Sequence, residues 1–324
     1  MNGEQDSSAL PEEIRIFSPY RQKIIEEAVA IEAADAIEAG SLGFMGWVFV
    51  QTSLPHKEPK GVEVWGRRNG ALSMVVQPGV YLDEKGRAVS IGLPYASLPR
   101  LLLAWVTTEA VRTKERQLFL GKSLSRFMQE LGLSPTGGKK GDIVRLRNQM
   151  RRLFSSNISC TYEGKGEKSG LQDWANAGFR LADSIVLWWD PANPRQENLW
   201  NSTVTLSEIF FEGITKSPVP IDLRVIKTLS RSAFSLDIYF WLTYRMSFLR
   251  KSTLIPWEAL RAQFGAEYKR DRAFKENFLK NLQKVQLMYP GANVRNMENG
   301  LLLLPGKPHV SRRLSVREKI STEK

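Results

Sequence analysis

The chain has 324 residues, 42% of them hydrophobic and 10% aromatic, which is enough to build packed cores and too apolar for a disordered chain. Lysine and arginine exceed the acids by 12, unevenly: residues 1–40 carry −6 and the remainder +18, a distribution that points to a polyanionic partner. One cysteine (Cys160) excludes an intrachain disulfide, two distant histidines (His56, His309) argue against a metal site, and neither a membrane-spanning run nor a secretory leader is present, so a soluble intracellular protein is expected.

Residues 1–18 are expected to be disordered, and 19–91 to form an N-terminal helix and a small β-rich extension. The helix is acidic and alanine-rich, spans about 19–39 and stops at Gly40. WVFVQ (47–51), VEVWG (62–66) and ALSMVV (71–76) then read as strands, with Asn69-Gly70 as a hairpin turn and Asp83–Gly86 as another.

A helical block follows. LPRLLLAWVTTEAVRT (98–113) reads as an apolar helix and QLFLG (117–121) as a short strand or turn. A second helix starts at Ser123 or Ser125, buries Leu124, Phe127, Met128 and Leu131, and stops at Gly132. A third helix is predicted over 139–155. Its apolar stripe is Ile143, Leu146, Met150, Leu153 and Phe154, and its outer arc holds Arg145, Asn148, Gln149 and Arg152, flanked by Arg147 and Arg151. NISCTYEG (157–164) and RLADSIVLWWD (180–190) read as strands around a polar loop. This order is that of a winged helix, whose third helix lies in the major groove. A charge run is often plain solvated surface, but that architecture gives this one a purpose.

The second half repeats the order after a linker-like stretch at 190–200, a strand-like STVTLSEIFF (202–211) and a loop TKSPVP (215–220). An aromatic helix runs from Ser230 or Ser232 to about Leu249, a short helix carries Pro256 in its first turn and stops at Gly265, and a basic helix spans about 267–287. Phe274, Phe278, Leu282 and Val285 line its buried side, and 297–300 reads as a tight hairpin turn. Gly132 and Gly265 lie 133 residues apart and the preceding helices keep that offset, which suggests a duplicated unit. The reading is therefore α+β: two tandem winged-helix domains, 92–200 and 201–310, with the N-terminal extension and a flexible tail from 311 to 324.

Candidate DNA-binding residues are Lys139, Lys140, Arg145, Arg147, Asn148, Arg151 and Arg152 in the first unit and Lys269, Arg270, Arg272, Lys275 and Lys280 in the second. Arg145, Asn148 and Arg152 in the first helix, and Arg272 with Lys275 or Glu276 in the second, suit base edges (Arg guanine, Asn adenine), while Lys139, Lys140, Lys269 and Arg270 suit phosphates. GGKKGD (137–142) lacks the spacing of a phosphate loop, and histidine is too scarce for a nucleophile–base pair, so neither cofactor, metal nor intrinsic enzymatic activity is expected.

Residues 93–162 resemble more than a generic winged helix. The motifs LPRLLLAWVTTEA, LSRFMQELGL and TGG…RLRNQMRRLFSS, with SPVPIDLRVIKTLSRS further on, are similar to the core of RepA-type plasmid replication initiators. The resemblance runs from about Gly92 to His309. It implies binding to direct repeats (iterons) at a plasmid origin, duplex opening, recruitment of the host initiator DnaA and the DnaB helicase, a homodimer that limits copy number, and a place on plasmid DNA in the bacterial cytoplasm. From the residues themselves only double-stranded DNA binding follows. A dimeric winged-helix repressor at a palindromic operator is the alternative, and an RNA or membrane-surface protein is a more distant one.

Overall fold

The computed structural model describes residues 19–138, 141–163, 177–187, 193, 195–196, 202–265 and 268–310, and side chains from residue 24 onward. The expected disordered N-terminus and flexible tail lie outside the described residues.

Helix α1 (Pro19–Ala33) leads into strand β1 (Leu42–Gly46). The helix stops short of the expected Gly40 because the Asp35 carboxylate accepts from the amides of Ile37 and Glu38 and closes a separate turn. WVFVQ, expected as a strand, is helix α2 (Trp47–Gln51), with Val48, Phe49 and Val50 all buried. A short, wholly buried apolar run carries no period, so propensity alone misassigns it. Strands β2 (Trp65–Asn69) and β3 (Leu72–Gln77) form the expected hairpin, with Gly70 at φ 59°, and β4 (Val80–Leu82) pairs with β5 (Ala88–Ser90) across the 83–86 turn.

The first winged unit follows: α3 (Ser97–Thr113), β6 (Gln117–Phe119), α4 (Leu124–Glu130), α5 (Asp142–Ser155) and β7 (Asn157–Tyr162). Ser123 caps α4, its hydroxyl accepting from the Arg126 amide. The returning strand, expected as one piece, is two: β8 (Ala177–Arg180) and β9 (Ala182–Val186), broken at the buried Leu181. β8 pairs with β7 and completes a sheet in the order β2-β3-β7-β8, whereas β9 pairs with β10 (Thr203–Leu206) in the order β6-β10-β9. The β-rich extension and the first wing thus share one sheet through β3 and β7. β10 lies beyond the expected boundary at residue 200 but completes the sheet of the first unit.

Only the first part of STVTLSEIFF is strand. Ser207 caps helix α6 (Glu208–Lys216) by accepting from the Phe210 amide. The expected loop at 215–220 contains β11 (Pro218–Asp222), which pairs with β1, and Asp222 caps α7 (Leu223–Leu229). Edge strands tolerate proline, which is why Pro218 and Pro220 misled a reading based on turn residues.

The second winged unit is compact: α8 (Ala233–Phe248), β12 (Thr253–Pro256), α9 (Trp257–Phe264), α10 (Asp271–Met288), β13 (Val294–Asn296) and β14 (Gly300–Leu303), with sheet order β12-β14-β13. Ser232 caps α8, as expected. Phe234, Phe264, Phe274 and Phe278 converge with ring centroids about 6 Å apart, so the aromatic residues form core. α1 buries Ile24 and Ile31 and packs on α7 and α10, and Arg224 donates to the α1 carbonyl of Ala30 and to that of Ala34. One continuous hydrophobic cluster runs through both units.

Candidate nucleic-acid interface

Helix α5 buries Ile143, Leu146, Met150, Leu153 and Phe154, the expected stripe. It also buries Gln149, which the helical projection had put outside: its side-chain oxygen accepts from the Tyr95 amide at 2.9 Å. An orphan backbone donor would be costly, so the amide is better used inward than in solvent.

The exposed arc of α5 is Arg145, Arg147, Asn148 and Arg151, with the apolar Val144 beside them. Arg145 donates to Asp142, one turn back, at 2.9 Å, with the arginine 55% exposed. Such a pair is worth about 0–1 kcal/mol, so a phosphate or guanine displaces it readily. Arg151 stacks over the Tyr81 ring of β4 at 4.7 Å.

Arg152 differs. Only 22% exposed, it donates to Glu58 at 2.8 Å and to the Leu93 carbonyl at 3.2 Å, and it covers Tyr95. Gly92 holds φ 89°, and a Cβ there would meet the Arg152 guanidinium at 3.0 Å. The expected base-edge reader is therefore the tether of α5 to the segments 56–58 and 92–95. The wheel places a side chain on an arc but does not show what covers it. Lys139 and Lys140 lie outside the described residues, and the helix begins at Asp142 rather than 139.

In the second unit, α10 begins at Asp271, so Lys269 and Arg270 stand in the turn before it, both exposed. Arg261 pairs with Asp271 across that turn. Arg272 donates to Glu276 on the same face at 2.8 Å with both side chains largely exposed, and Lys280 is exposed one turn further on. Lys275 lies over the Trp257 ring at 4.8 Å and reaches the Glu298 carbonyl at 3.4 Å, bracing the wing turn against the helix. Neighbouring Lys284 has its pKa lowered, first by burial and then by Lys280. Arg261 and Lys275 are thus engaged within the chain, while Lys269, Arg270, Lys280 and Arg272, whose pair with Glu276 is solvent-exposed, form its outer cationic edge.

Two cations that the sequence reading did not select stand on the strands after these helices: Arg180 on β8 and Arg295 on β13, both exposed. Their signal was present, a basic residue in each wing, but wing pairing is invisible without tertiary structure. Among the described residues no group of His, Cys, Asp and Glu is arranged to hold a metal ion, and no helix is long and apolar enough to cross a membrane. Burial pushes the Cys160 thiol up to about 12, which makes it an inert core residue.

The family profile of plasmid encoded RepA proteins matches residues 93–259, more than half of the chain. No curated protein matches the sequence. Among solved structures, a crystal structure of selenomethionine derivatives of domains 2 and 3 of RctB superposes with a TM-score of 0.51 at 10% identity, covering 82% of this chain and 97% of that one. A second RctB structure of domains 2–3 gives 0.46 at 11% identity, over 79% and 94% of the two chains. At 10% identity the first of these likenesses concerns the α+β fold alone.

Proposed function

The chain belongs to the RepA family of plasmid-encoded replication initiators, and from that premise we propose that it reads direct repeats at its plasmid origin as double-stranded DNA. The observation that carries this reading is the doubled unit: α5 and α10 each bury an apolar stripe and expose cations along the opposite side. Two such helices on one chain suit successive major grooves, about 34 Å apart on one face of the duplex.

Arg145 and Asn148 read base edges in the first half-site, and Arg272 does so in the second. Arg147, Arg151, Lys139 and Lys140 hold phosphates on one side, and Lys269, Arg270 and Lys280 on the other, with the wing cations Arg180 and Arg295 beside them. Arg152 and Lys275 support these contacts by holding α5 and the second wing in place. Several copies on tandem repeats would then strain an adjacent AT-rich segment toward opening. The family resemblance adds DnaA and DnaB as partners and a homodimer that limits copy number.

Footprinting on the DNA that flanks the gene tests the reading. Protection of tandem direct repeats is expected. Protection of a palindrome alone would instead identify a repressor, and no protected duplex would remove the proposal.

A further inference from the structure

A segment of the N-terminal extension bridges the two winged units and belongs to neither recognition helix nor wing. Between residues 51 and 58 it bonds in turn to four helices. The Gln51 carbonyl accepts from Gln263 of α9 at 2.8 Å, and the Ser53 hydroxyl donates to the Gln263 carbonyl at 3.0 Å. Leu54 offers its carbonyl to Arg100 of α3 at 2.7 Å. His56 meets Asp237 of α8 at 2.8 Å, and Glu58 holds Arg152 of α5.

At the centre, Arg100 and Asp237 form a forked ion pair: Nε to Oδ1 at 2.6 Å and Nη2 to Oδ2 at 2.6 Å. The side chains are only 2% and 4% exposed. The remaining donor, Nη1, reaches the Ala96 carbonyl at 2.6 Å, and the Ala96 amide in turn donates to Pro55. Ala96 is held at φ 62°, in the left-handed region that alanine avoids.

Desolvation makes such a pair a poor source of stability, and apolar side chains of similar size hold two helices together as well. What the fork supplies is direction. Two parallel N–H···O bonds fix both distance and rotation, which an apolar contact leaves free to slide. α3 carries α5, and α8 carries α10, so the angle between the first helices of the two units sets the angle between the recognition helices. On a duplex of about 10–10.5 base pairs per turn, that angle becomes a required number of base pairs between half-sites.

We propose that the Arg100–Asp237–His56 clasp is a spacing gauge: its members are positioning residues that determine which half-site separation the protein accepts. The inference rests on the tandem reading of repeat DNA given above. It makes spacing a property of buried side chains that never touch the nucleic acid.

The test uses the full chain and duplexes carrying the footprinted repeat, with its two half-sites at native separation, one to five base pairs further apart, and one full turn further apart. Wild-type protein should lose roughly ten- to hundredfold in affinity when the half-sites are out of phase, since one recognition helix then meets wrong bases. Arg100→Lys keeps the charge but loses the fork, and His56→Ala removes one contact from the rim of the clasp. A third variant, Arg100→Met with Asp237→Leu, replaces the pair by apolar groups and guards against misfolding.

Each folded variant should bind the native spacing within a fewfold of wild type and discriminate severalfold less against insertions of one or two base pairs. Variants that fold and discriminate as wild type does would overturn the gauge, as would an equal loss on every duplex, which marks a merely structural role. A wild type that binds the repeats but is indifferent to spacing overturns the gauge too. Failure of the wild type to bind the repeat duplex at all is the separate failure of the tandem reading.

Discussion

The two winged units solve the same problem with different means. The second is minimal: β12, β14 and β13 close a three-stranded sheet, and α10 rests on an aromatic cluster around Phe234. The first borrows. Its wing strand β7 pairs with β3 from the N-terminal extension, its returning strand breaks at Leu181 to serve two sheets, and β10 enters between β9 and β6. α10 rests on its own aromatic core and on α1, whereas α5 is also tied by polar contacts to Glu58, Leu93 and Tyr95. The difference teaches that a duplicated fold need not be a duplicated stability unit.

The comparison breaks first at the core. Phe278→Ala in α10 should cost about 3–5 kcal/mol in urea unfolding. Because β1 pairs with β11 and one cluster spans both units, fluorescence and circular dichroism should report a single transition. Two separated transitions would mean that the units are energetically independent.

A smaller effect concerns acid. In the second unit the Tyr239 hydroxyl accepts from the Asp222 amide and lies 2.9 Å from His309 Nδ1, which suits a neutral imidazole. Burial lowers the His309 pKa to about 4. The native state therefore binds fewer protons than the unfolded chain between about pH 6.5 and 4, and stability falls as pH drops through that window. The loss should be on the order of 2 kcal/mol, and His309→Gln should flatten it. Asp237 acts lower on the scale: burial raises its pKa, but Arg100 and His56 outweigh that and hold it below the usual carboxylate range. Its contribution is present at neutral pH and is lost only as pH falls through that depressed value.

On DNA, the two helices should be separable. Arg145→Ala should weaken repeat binding by about 1–3 kcal/mol and relax base choice in one half-site, and Arg272→Ala should relax it in the other, as a binding-site selection would read. Lys269→Ala should weaken all duplexes alike and reduce the salt slope by about one. The smallest change is Glu58→Gln. It weakens the rim pair that tethers Arg152, worth about 1 kcal/mol or less, so urea stability and repeat affinity should both fall slightly.

Much of this protein follows from local chemistry. The apolar stripes of α5 and α10, the Ser123 and Ser232 caps and the Asn69-Gly70 hairpin are each written within a few residues, because helix period, capping and turn geometry are short-range. The tandem order of elements and the cationic arcs are legible for the same reason. Tertiary structure alone decided that WVFVQ is a buried helix, that β3 completes the first wing, that Gln149 and Arg152 turn inward, and that Arg100 meets Asp237 across 137 residues. Those outcomes depend on which surfaces meet at long range, where burial and the need to satisfy every buried polar group override local propensity.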